Sequence, residues 1–255
     1  MKKLYVAILV VFVLFVSAIL VFVMLGRTYE TGNVVDMVEE VSQPPVVTTT
    51  APPPPETTTV REISASMENA LFIGDSRTVG LSEYASLPGA TFFARVGMTV
   101  FEIDKTSLKV PGVGYMTLDE VLSRKIYDKV YVMLGVNEIG YDVGSIVEKY
   151  VKILEKIIAY QPEAFIILQA NLHVTSSYYY TNGIINNPAI DQLNAILVQY
   201  ADNERLFFLD ANTVFDDSTG NLAVKNSSDG IHLYGYCYAR WGEWIKEQTA
   251  LLNNV

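Results

Sequence analysis

The sequence predicts an α/β fold built on a parallel sheet covered by helices on both faces. Three observations carry this expectation. Short apolar runs recur along the chain after residue 67, segments of helical character lie between them, and the runs are continuously apolar rather than alternating. Continuous runs of that kind belong to strands buried on both faces, and alternation with helices belongs to parallel sheets.

Ahead of that domain stand two segments of different character. Lys2 and Lys3 precede an almost unbroken apolar run, Leu4 to Gly26, followed by Arg27 and the acidic residues Glu30, Asp36, Glu39 and Glu40. A bilayer-spanning helix needs roughly 20 such residues. A cleaved leader has an apolar core of about 7–15 residues. This run continues well beyond Val16-Ser17-Ala18, where a leader could be cut, so an uncleaved anchor over 4–26 is expected. The positive-inside rule puts residues 1–3 in the cytoplasm and the bulk of the chain outside the cell membrane. Residues 27–66 include "QPPVVTTTAPPPPETTTV", whose Pro and Thr cannot bury enough apolar surface to offset ordering. They are expected to form an extended, semi-rigid stalk.

The elements of the domain, 67–255, follow in order. "ALFIG" (70–74) is a first strand, with a helix-like stretch from Ser76; "TFFARVG" (91–97) is a second strand. "TLDEVLSRK" (117–125) is a short helix with Thr117 as cap, and "KVYVMLG" (129–135) a third strand. Ser145 to Tyr160 carries Ile146, Val147, Tyr150, Val151, Leu154, Ile157 and Ile158 on one face of a helix. "AFIILQANL" (164–172) and "LFFLD" (206–210) complete five strands. Helices are expected over 189–202 and 236–252, and a long polar loop over 173–188.

In such a sheet, function gathers at the carboxyl ends of the strands. There the sequence places Ser76, Gly97, Asn137 and, after a further loop, Asp229 and His232. Each has an ordinary explanation taken alone: helix cap, tight turn, turn residue, Asp-Gly turn, surface histidine. Together they make an acyl-transfer site. A serine hydroxyl needs a base, which His232 can be. Asp229, three residues earlier, can fix the imidazole tautomer. The oxyanion needs fixed donors, available from the backbone N–H groups of Ser76 and Gly97 and the side chain of Asn137.

The ordered blocks "FIGDS", "ARVG", "GVNE" and "DGIHL" resemble those of the SGNH hydrolase superfamily, the GDSL-type esterases and lipases. The resemblance covers residues 68–255. It implies a flavodoxin-like three-layer α/β/α sandwich with a five-stranded parallel sheet, and a carboxylic ester hydrolase whose catalytic residues are Ser76, His232 and Asp229. Arg77 stands where the family often has leucine, and Glu138 where it often has aspartate. Both are candidate substrate contacts, Arg77 being equally readable as an exposed helix residue. Tyr178, Tyr179 and Tyr180 either line the cleft, where rings could stack on sugar, or pack their loop onto the domain. His173 reads as a surface histidine, and Asp75 as a structural residue of the turn.

Other chemistries lack parts. The serine is not in a G-x-S-x-G elbow, and no phosphate-binding G-x-x-x-x-G-K occurs. Two histidines and one cysteine make a zinc site improbable, and no cofactor is expected. A net charge of −10 argues against a nucleic-acid partner, and none is expected. The expected substrate is an acylated carbohydrate or another ester outside the membrane, with removal of acetyl or other short acyl groups as the first choice. A lysophospholipase or lipase, an O-acyltransferase and a non-catalytic surface binding module are the alternatives.

Overall fold

The computed structural model describes residues 62–254. The expected span over 4–26 and most of the expected stalk lie outside the described residues. Among the described residues, no helix is long and apolar enough to cross a membrane.

The five expected strands form one parallel sheet. They are β1 (Ala70–Gly74), β2 (Thr91–Ala94), β5 (Lys129–Met133), β6 (Phe165–Gln169) and β7 (Leu206–Leu209), in the order β2-β1-β5-β6-β7. Register is direct, with Leu71 beside Thr91 on one side and beside Val130 on the other. Two short strands that lacked any periodic signal, β3 (Leu108–Val110) and β4 (Gly114–Met116), pair as an antiparallel hairpin outside this sheet.

Side chains of successive strand residues point to opposite faces, and two cores result. On one face Leu71, Ile73, Val130, Val132, Ile166 and Leu168 pack against α2 (Leu118–Arg124), α3 (Val143–Tyr160) and α5 (Asn187–Leu197). On the other, Ala70, Phe72, Tyr131, Met133, Ile167 and Phe207 pack against α1 (Ser76–Tyr84) and α7 (Gly235–Leu251), with Trp241 fully buried. Phe72 stacks on Tyr131 at 4.4 Å and on Phe92 at 5.0 Å, an aromatic row across three strands. The result is the three-layer α/β/α sandwich.

Helix boundaries follow local chemistry. Thr117 caps α2 in a capping box with Glu120. Asp142 caps α3, so that helix begins at Val143, ahead of the expected Ser145. The stretch 173–188, expected as loop, contains α4 (Ser176–Asn182), capped by Thr175 and ended by Gly183. The expected helix over 189–202 is α5 followed by a tighter 3-10 turn at Val198–Tyr200. After β7 a short α6 (Asn212–Phe215) opens the long loop that reaches α7.

Ile63, ahead of the expected boundary, is already buried against the domain. Ile63 and Asn253 exchange two hydrogen bonds, at 2.6 and 2.9 Å. Lys129, the first residue of β5, donates to the carbonyls of Ser64 and Ser66. Both ends of the domain therefore meet at the amino ends of the strands.

Candidate active site

The chain order changes direction at β1, whose neighbours β2 and β5 lie on either side and are followed by the glycine and asparagine loops. A crevice at the carboxyl ends of strands opens at such a switch point. Ser76 follows β1 there as the first residue of α1.

Asp75, not Ser76, is the cap of that helix. Its Oδ1 accepts the Arg77 N–H at 2.9 Å. The Ser76 hydroxyl is thereby released from capping and lies 2.9 Å from His232 Nε2. His232 Nδ1 lies 2.7 Å from Asp229 Oδ2. The other carboxylate oxygen, Oδ1, accepts the N–H groups of Ile231 at 3.0 Å and His232 at 2.8 Å and the Ser227 hydroxyl at 3.2 Å. Partial burial works against the Asp229 charge, but the bonds from the backbone and ring of His232 and from Ile231 outweigh it and hold the carboxyl down to about 2. Asp229 is thus an anion across the working pH range. Gly230 has φ +87°, and a Cβ there would meet Thr175 and Tyr178, so this turn requires glycine.

The oxyanion candidates lie on the flanking loops. Gly97 has φ +72° and an open approach to its backbone. Its loop is tied to the serine block by the Arg95 N–H, donated to the Gly74 carbonyl at 3.3 Å. Asn137 sits in a 3-10 turn, Val136–Glu138, and gives one amide N–H to the Met98 carbonyl at 2.9 Å, leaving its second N–H. Glu138 Oε1 accepts the Val100 N–H. Asn137 and Glu138 together pin the glycine loop.

Arg77 and Glu138 are not where substrate contacts would lie. They are 1% and 0% exposed. Arg77 points inward because the first turn of α1 packs against the Asp229–His232 turn. Its Nε donates to the Ile231 carbonyl at 3.3 Å. Glu138 points inward to satisfy the glycine loop. Burial, aided by Asp75, pushes its carboxyl up to about 7 despite the Val100 N–H. Burial likewise raises Asp75, with Arg77 offsetting part of the rise, and lowers the Arg77 guanidinium, with Asp75 opposing.

The tyrosines separate. Tyr178 is half-buried and, with Thr175, Ser177, Thr181, Ser227 and Ser228, lines a cavity of about 190 Å3 beside Asp229. Tyr179 and Tyr180 are exposed and contact each other at 5.3 Å. His173 is not a surface residue. It is 9% exposed and is held between Asp216 at 2.6 Å and Asp191 at 2.8 Å. Burial disfavours its charge, but the two carboxylates outweigh burial and raise it above the usual histidine range. Sequence reasoning did not find Ser227, which braces the Asp229 turn by bonding Gly230 N–H at 2.9 Å. A serine two residues before Asp-Gly was the available signal.

Residues 72–240 match the GDSL-like Lipase/Acylhydrolase family. A search of curated proteins finds no match. Among solved structures, a Streptococcus pneumonia protein provisionally described as a platelet activating factor is 22% identical, with TM-score 0.55, over 76% of this chain and 86% of that one. A Bacteroides fragilis protein provisionally described as an acylhydrolase is 17% identical, with TM-score 0.56, over 76% and 92%. A GDSL-like lipase from Bacteroides thetaiotaomicron is 16% identical, with TM-score 0.54, over 71% and 86%. These likenesses concern the fold; the family match spans most of the domain and carries the assignment. The chain belongs to the GDSL-like lipase/acylhydrolase family and is an ester hydrolase of the SGNH fold.

Proposed function

We propose that this protein is an extracytoplasmic serine esterase that removes acetyl or other short acyl groups from carbohydrate. The unbroken hydrogen-bonded chain Ser76–His232–Asp229 carries the reading. Ser76 Oγ attacks the ester carbonyl as His232 Nε2 takes its proton, and Asp229 stabilises the imidazolium. The N–H groups of Ser76 and Gly97 and the free amide N–H of Asn137 receive the oxyanion. His232 returns the proton to the departing sugar hydroxyl. It then takes a proton from the water that attacks acyl-Ser76 and gives it to Ser76 Oγ as the acid leaves, which restores the free serine.

Two features support a short acyl group on a polar alcohol. Six of the nine residues lining the cavity beside Asp229 bear hydroxyls, and Val224 is its one large aliphatic. A larger apolar pocket, about 280 Å3 and lined by Phe92, Val110, Val113 and Met116, opens by Ala90 and Thr91 at the amino end of β2. That is the opposite end of the sheet from Ser76, so it offers no channel for a long acyl chain. The expected anchor at Leu4–Gly26, preceded by Lys2 and Lys3, supports a site outside the membrane.

The test is a screen of the full chain in detergent against acetylated glycans and p-nitrophenyl esters of increasing length, with fluorophosphonate labelling of Ser76. Labelled protein that prefers acetyl esters and releases acetate from glycan is expected. Unlabelled wild type, or turnover retained in Ser76→Ala, overturns the serine mechanism. A preference for long chains makes it a lipase.

A further inference from the structure

We infer that Arg77 is a positioning residue: it holds the Asp229–His232 turn against the helix that presents Ser76. This rests on Ser76, His232 and Asp229 acting as proposed above.

The geometry poses a problem that Arg77 answers. Ser76 and His232 are 156 residues apart in sequence and must stay within hydrogen-bond distance. The His232 and Asp229 side chains are 43% and 49% exposed, so packing does not fix the turn from outside. From inside, Thr175 N–H ties the Gly230 carbonyl to the loop after β6. Arg77 ties the next carbonyl, that of Ile231, to α1 itself. Arg77 follows the nucleophile by one residue and Ile231 precedes the base by one. The tether thus runs parallel to the Ser76–His232 bond and shares its two backbone supports. Its foot is firm, because the Arg77 N–H is the one that Asp75 caps.

Fold stability does not explain an arginine here. The side chain is 1% exposed, and its two terminal nitrogens have no hydrogen-bond partner among the described residues. Burying a guanidinium is costly, and a well-packed apolar residue often serves a fold as well or better. The carboxylates of Asp75 and Asp229 offset only part of that burial cost. What an apolar residue cannot supply is a donor to the Ile231 carbonyl. Lysine would keep the charge without the fixed Nε–H.

The experiment compares Arg77→Met and Arg77→Lys with wild type, as full chain in detergent, by p-nitrophenyl acetate turnover, fluorophosphonate labelling rate and far-UV circular dichroism. Both variants should fold and lose about 10- to 100-fold in kcat, the scale of a displaced catalytic group. Labelling should slow in parallel, and KM should change by no more than about twofold. In an Asp229→Ala background, where the turn no longer orients the base, Arg77→Met should cost less than about threefold. A merely structural residue would lower kcat by the same factor in both backgrounds. Should Arg77→Met fail to fold, Arg77→Lys decides by the same measurements. A folded variant with kcat within about twofold of wild type overturns the inference, as do losses that simply multiply in the double variant. Unlabelled wild type overturns the serine mechanism and this inference with it. Labelled wild type with normal Arg77 variants overturns this inference alone.

Discussion

Ser76 occupies the first turn of α1, where a backbone N–H has no acceptor within the helix and the dipole is positive. Asp75 takes over the capping, so hydroxyl and N–H both remain for chemistry. The types and order of the site residues were readable from the sequence because Ser76, Gly97 and Asn137 each follow a strand and Asp229 and His232 share one short Asp-Gly block. The inward direction of Arg77 and Glu138 was not, since long side chains at a crevice can turn either way and only the packed partner decides. Asn137 has one amide N–H committed to Met98 and one free. Asn137→Ala should therefore lose an oxyanion donor and loosen the glycine loop, lowering kcat by about 100-fold or more; unchanged turnover of an acetyl ester would remove it from the site. Glu138 makes a separate prediction. A carboxyl raised to about 7 holds its proton more tightly in the folded protein than in the unfolded one. Its stabilising contribution is complete below the ordinary carboxylate range and is lost as pH rises through about 7. Glu138→Gln keeps an acceptor for Val100 and cannot ionise. Its melting temperature should exceed that of wild type above neutrality and converge with it below about pH 4; parallel curves would contradict a proton held there.

At the scale of elements, the strong periodic segments were legible and the short ones were not. α3 shows its apolar face over eighteen residues. β3 and β4 have three residues each, too few for a period, and α4 reads "SSYYYTN", with no apolar stripe. The loops at the carboxyl edge are held by polar links that no local pattern announces. His173 is the clearest case, joining the loop after β6 to Asp191 on α5 and to Asp216 after α6. The groups around it also include Asp210, Asn194 and Asn212, which share its depression of about 410 Å3. The imidazolium is the form these carboxylates favour, so its folded affinity for the proton is raised. The link is complete below the ordinary histidine range and weakens as pH rises through the raised value. His173→Gln should therefore cost more stability at pH 5.5 than at pH 9, measured by urea unfolding at both; an equal cost would mean a neutral ring.

At the scale of the whole domain, the sheet, its strand number and its two cores follow from sequence with little loss. Continuous apolar strands demand cover on both faces, and the amphipathic helices between them supply it. The strand order and the pole at which Ile63 meets Asn253 emerge only in the folded structure, because pairing between segments far apart in sequence leaves no local trace. That pole has a practical reading. Ile63 and Asn253, near the two ends of the described residues, are clasped together beneath the amino ends of the strands, with the Ser76 crevice at the far side of the sheet. Among the described residues, that clasp and the crevice lie at opposite poles of the sheet. Beads coupled through a cysteine placed at exposed Ala65 should leave kcat near its free value, whereas coupling through a cysteine placed at Ser177 should depress it. Equal loss by either route would place the crevice elsewhere. A link made at that pole leaves open the face that meets the ester.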